Sequence, residues 1–128
     1  MSMKSFIVAL CIGVIMVGGC VLYMMEVEDI SDELKNLNKK VIESVKTEEY
    51  REAEQRLKKL SEYFEGKIIM LAATGNHTEL DQIQIYISQV DEYIKEEQKG
   101  DALAFCESLD IMFCHLPKNY RLRPENIL

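Results

Sequence analysis

Residues 80–94 read LDQIQIYISQVDEYI, and their spacing decides the fold. Leu80, Ile83, Ile87, Val90 and Ile94 recur at alternating intervals of three and four, which puts them on one face of a helix. Ile85, Tyr86 and Tyr93 widen that face beyond a narrow seam. A helix with so broad an apolar face must bury it against other helices. Just upstream, Gly75-Asn76 is expected to end the preceding helix, and Thr78 with Asp81 has the form of a capping box opening this one. Downstream, Gly100 is expected to end it, with Asp101 capping the next.

Working outward, the same period recurs on both sides. After Asp101, Ala102, Phe105, Cys106, Leu109, Met112, Phe113 and Leu116 form the apolar members of a helix that Pro117 is expected to stop. Before Gly75, Tyr50, Ala53, Leu57, Leu60, Phe64, Ile68 and Leu71 form another, with Thr47 opening it and Glu48 and Glu49 in its first turn. Ile30, Leu34, Leu37, Val41 and Val45 mark a helix from about Ser31 to Lys46. With almost no loop at Lys46-Thr47, these two should form an antiparallel hairpin or bend sharply. No strand pattern competes. The expected class is therefore all-α: an N-terminal transmembrane helix, then a small antiparallel bundle of about four helices. The stretch from Lys67 to Thr74 is nearly continuous apolar sequence. It is either the most buried part of the bundle or a surface for a partner.

Residues 6–25, FIVALCIGVIMVGGCVLYMM, contain no charge. At ~1.5 Å per residue they span about 30 Å, the thickness of a bilayer's hydrocarbon core. This divides the chain into a short cytoplasmic N-terminus with its anchor (1–25) and an extracytoplasmic helical domain (26–128). Lys4 precedes the segment, while Glu26, Glu28, Asp29, Asp32 and Glu33 follow it. The positive-inside bias therefore puts the N-terminus in the cytoplasm. Nothing between Met25 and Ser31 is Pro or Gly, so the anchor can run on into the bundle as a stalk. Val17-Gly18-Gly19-Cys20 also resembles a bacterial lipobox, in which cleavage leaves a lipidated Cys20. Against it, the apolar run continues through Met25. Ala9, Gly13, Met16 and Cys20 share one helical stripe, the kind of small-residue face along which transmembrane helices approach one another.

Beyond the anchor, 14 Lys and Arg stand against 22 Asp and Glu. That balance argues against nucleic acid, whose phosphates demand an excess of Lys and Arg. Cys106 and Cys114 lie about 12 Å apart along one helix at ~1.5 Å per residue, too far for a disulfide. Cys114 and the adjacent His115 diverge by roughly 100° on a helix, so with Cys106 they make a poor zinc set. His77 fits a surface or capping role, and Asn76-His77-Thr78 matches a glycosylation sequon that nothing else in the chain supports. The paired carboxylates Glu48-Glu49, Glu52 with Glu54 and Glu96-Glu97 are interleaved with Arg and Lys, as on solvated helix faces. No catalytic, cofactor or metal constellation emerges, and no enzyme is expected.

The layout resembles a family of short membrane proteins from clostridia and related spore-formers, the domain of unknown function 4363. The resemblance rests on Met3-Lys4 before one apolar helix, Glu49 to Glu54 (EYREAE), His77 to Ile85 (HTELDQIQI), Gly100 to Leu103, Leu116-Pro117 and the tail Pro124 to Leu128. Family members commonly carry a tryptophan late in the second helix, and this chain has none. The resemblance implies a membrane-anchored helical protein without an assigned activity. It also implies a partner, since genes of this family often lie beside one for a multi-pass membrane protein of the YetF type. The expected role is a structural or interaction partner of another membrane protein; the alternative is a ligand- or ion-sensing helical module.

Overall fold

The computed structural model describes residues 2–73 and 77–119, which form four helices and, among the described residues, no strand. Helix α1 runs unbroken from Met3 to Lys46, α2 from Tyr50 to Ala72, α3 from His77 to Lys95 and α4 from Lys99 to Asn119. The apolar segment and the first bundle helix are thus one element of 44 residues. No Pro interrupts it, and nothing between Gly19 and Lys46 offers a glycine at which it could bend.

Each helix packs on two neighbours, α1 on α2 and α4, and α3 on the same two, so the four close a square, up-down-up-down bundle. The core follows the three-four spacing read from the sequence. Leu80, Ile83, Ile87, Val90 and Ile94 of α3 are all buried, facing Ala102, Cys106, Leu109, Phe113 and Leu116 of α4 and Leu57, Leu60 and Phe64 of α2. From α1 come Val27, Ile30, Leu34, Val41 and Val45. A 3.5-residue apolar period is that of helices which coil around one another. Ile85 does not widen the α3 face: it is exposed, whereas half-buried Tyr86 and Tyr93 pack on Phe105 with ring centroids 5.3 and 5.4 Å apart.

The helix ends differ from expectation. Thr47 does not open α2; it caps α1, its hydroxyl donating to the carbonyls of Glu43 and Ser44. Glu48 takes up a left-handed φ of 59°, and Glu48 and Glu49 N–H groups return to Val45 and Ser44 carbonyls, a Schellman turn. The α3–α4 turn repeats it: Glu97 has φ 55°, and Glu97 and Gln98 N–H groups donate to Ile94 and Tyr93 carbonyls. Glycine usually takes this position, so the sequence gives no punctuation there. Gly100 and Asp101 consequently lie inside the first turn of α4 rather than between helices. Thr78 likewise sits within α3, which is already helical at His77, while Gly75-Asn76 and Pro124 to Leu128 lie outside the described residues.

Pro117 does not stop α4, which continues to Asn119. Proline at 117 has no N–H for the carbonyl of Phe113, four residues earlier. The buried hydroxyl of Ser31 donates to that carbonyl instead, at 2.6 Å. Seven residues along on both helices, the Asn38 amide donates to the Cys106 carbonyl at 2.8 Å. These two bonds set the antiparallel register of α4 on α1.

Candidate functional site: the junction of apolar arm and bundle

The chemistry-bearing residues picked out of the sequence do not converge. Cys106 faces the core, and burial pushes its thiol up to about 12. Cys114 and His115 are exposed, whereas Cys106 is buried, so the three do not share a ligand position. Among the described residues no group of three or more His, Cys, Asp or Glu is placed to hold a metal. The carboxylates lie on solvated faces. Glu52 pairs with Arg56 at 2.6 Å, and Arg56 also donates to the Lys40 carbonyl at 2.8 Å, tying α2 to α1. A hydrogen bond from Glu49 holds Glu52 below the usual carboxylate range, with the Arg56 charge adding to it. Between α2 and α3 runs a groove of about 460 Å³ with Leu57 and Ile87 at its floor and Glu54, Lys58, Asp91, Glu92 and Lys95 at its rim.

The distinctive region is where α1 leaves the bundle. Every described residue before Tyr23 is exposed, on all sides of the helix, and the apolar stretch has a mean hydropathy of 2.6. It is the one described helix long and apolar enough to cross a membrane. Ala9, Gly13, Met16 and Cys20 are all exposed on it, and a methyl group added at Gly13, Gly18 or Gly19 would meet no atom within 4 Å. The small-residue stripe is therefore unused within this chain. Cys20 sits in unbroken helix, with continuous helical backbone on both sides.

At Tyr23 the surroundings change. Its ring is half-buried, and its hydroxyl donates to the Met70 carbonyl near the end of α2 at 2.7 Å. Val27, one turn on, is fully buried. Beside this contact lies a cleft of about 500 Å³ lined by Leu22, Met25, Glu26, Asp29, Ile30, Tyr63 and Lys67. The Lys67 ammonium lies 5.7 Å from the centre of the Tyr63 ring, a cation–π distance. Burial raises the Tyr63 hydroxyl above its ordinary value, and the negative charges of Glu33, Asp29 and Glu26 along α1 add to the rise. The apolar stretch from Lys67 splits its faces: Leu71 is buried, Ile68, Met70 and Ala72 are half-buried, and Ile69 is 84% exposed. It is neither the centre of the core nor wholly a free surface. Sequence reasoning missed Tyr23, Ser31 and Asn38, whose single polar atoms make the contacts that fix α1 against α2 and α4.

Fold and junction together define a class: a four-helix bundle whose first helix is prolonged by a bare apolar arm. Within that class, the chain belongs to the family described as domain of unknown function (DUF4363), whose model matches residues 21–127. The match spans the bundle and begins near the end of the apolar run. No curated protein and no solved structure matches the chain.

Proposed function

We infer that the protein is a single-pass membrane protein whose bundle serves as a docking partner for another membrane protein, without catalysis of its own. The observation that carries this reading is the arm. An apolar helix exposed on every side has no stable place in water, and about 30 Å of it matches a bilayer core. Lys4 on one side, against Glu26, Glu28, Asp29, Asp32 and Glu33 on the other, favours a cytoplasmic N-terminus and an extracytoplasmic bundle. Because α1 enters the bundle without a break, the bundle stands at a fixed height and rotation above the membrane. A tethered ligand-catcher needs no such rigidity, whereas a docking platform gains from it. Ala9, Gly13, Met16 and Cys20 supply the face for a neighbouring transmembrane helix, and the family resemblance favours a multi-pass YetF-type protein as that neighbour.

Crosslinking in native membranes tests the partnership. A reproducible protein adduct is expected, and it should weaken when Ala9→Leu and Gly13→Leu are introduced together. Unchanged crosslinks in that double variant would remove the proposed membrane contact. Orientation is tested separately with an impermeant maleimide, which should label exposed Cys114 on intact cells without unfolding. Labelling only after lysis would invert the topology. An intact-mass measurement decides between a full-length anchor and a chain processed and lipidated at Cys20, because processing there removes the first 19 residues.

A further inference from the structure

We propose that the end of α2, from Ile68 through its C-cap Ala73, forms a second membrane contact that lies in the boundary between headgroups and acyl chains, beside the end of the α1 span. The proposal rests on the anchoring of α1 argued above and deepens it.

Register is the first support. The Tyr23 hydroxyl reaches the Met70 carbonyl, so the end of α2 lies level with the last turns of the apolar run. The described part of α4 does not reach so far: the bonds from Ser31 to Phe113 and from Asn38 to Cys106 put Pro117 level with Val27, two residues before the last described residue of α4. Among the described helices that pack on α1, α2 alone extends beside the span.

The second support is where charge gives way to apolar sequence. On α1 the run ends at Met25 and carboxylates begin at Glu26. On α2, Lys67 is the last charge, and Ile68 to Ala73 carry none. The two switches coincide in space, because Glu26, Asp29 and Lys67 line the same cleft as Leu22 and Met25. Both helices thus pass from charged to apolar at one level, as elements crossing a single planar boundary do. Lys67 over the Tyr63 ring places a cation and an aromatic at that level, the pair enriched where helices enter lipid.

The third support is exposure. Ile69 is 84% exposed, and Leu22 and Met25 are 68% and 57% exposed. The arm is exposed around its whole circumference, so what covers it surrounds it. Lipid does so, and exposed Ile69, one residue from the Met70 carbonyl that Tyr23 reaches, lies at the level where that medium begins. A partner helix would cover one side only.

The test uses the full chain in vesicles of phosphatidylcholine and phosphatidylglycerol. Its four cysteines are replaced by alanine, and an environment-sensitive nitrobenzoxadiazole label is attached to one new cysteine at a time: Met16→Cys, Ile69→Cys or Ile85→Cys. Quenching by nitroxide-bearing lipids is compared with quenching by aqueous iodide. The expected result is lipid quenching at positions 16 and 69, with iodide quenching at 69 several-fold below that at 85. If 69 behaves like 85 while 16 is quenched by lipid, the α2 contact is wrong and the anchor stands. Should 69 be shielded from both quenchers, protein rather than lipid covers it, which also overturns the proposal. Iodide quenching at all three positions would sink the anchor and the α2 contact together.

Discussion

The two halves of α1 have the same backbone and opposite surroundings. From residue 6 to 22 the helix is uncharged and exposed on every side; from Val27 to Val45 it carries one stripe of buried residues and charges elsewhere. The difference lies in how apolar residues are distributed. Spread over all faces, they ask for an apolar medium; confined to a three-four stripe, they ask for other helices. Tyr23 stands at the changeover, its ring half-buried and its hydroxyl bonded to Met70.

The comparison breaks most visibly under core truncation. Phe64→Ala should lower bundle stability by about 3–5 kcal/mol in denaturant titrations, whereas Ile15→Ala in the bare half should leave it unchanged. A charge reverses the asymmetry: Val14→Arg should cost about 2.5–3.5 kcal/mol of membrane insertion and shift protein into the carbonate-extractable fraction, with bundle stability intact. Ser31→Ala should cost about 1–3 kcal/mol, because the Phe113 carbonyl then loses its donor in a buried site. Pro117→Ala, which supplies the missing N–H, should recover much of that loss, so a double-mutant cycle tests the pairing directly.

A smaller effect concerns pH. The buried Cys106 thiol holds its proton to about 12, while an unfolded thiol releases it near 9. Below pH 9 this thiol makes stability no more or less pH-dependent. Between 9 and 12 the unfolded chain loses the proton first, so stability should fall by about 1.4 kcal/mol per pH unit. Cys106→Ala should remove that part of the slope in alkaline denaturation, whereas exposed Cys114→Ala should not. The least effect is a gain: Glu48→Gly or Glu97→Gly relieves a left-handed non-glycine residue and should add up to about 1 kcal/mol.

What the sequence made legible was the apolar periodicity. The buried stripes of α3 and α4 are the ones its spacing marks, and the arm is plain from its lack of charge. What it concealed were ends and polar contacts. Glu48 and Glu97 turn the chain where glycine would be expected, because Schellman hydrogen bonds and packing on both sides offset their strain. Gly100 and Pro117 read as breaks yet lie inside α4. Gly100 is tolerated in a first turn, and Pro117 is tolerated because Ser31, 86 residues away in sequence, supplies the lost donor. Ser31 and Asn38 look like ordinary polar positions, since only the fold brings α4 carbonyls against them. The junction was half legible: the stretch from Lys67 stood out, but its level against the arm depends on one bond from Tyr23.

The most direct test of the central claim, that one continuous helix serves both environments, is amide hydrogen exchange of the full chain in lipid nanodiscs. Slow exchange should run without interruption from the arm through Tyr23 to Leu34. A band of fast-exchanging amides between Met25 and Ile30, separating two protected segments, would contradict it.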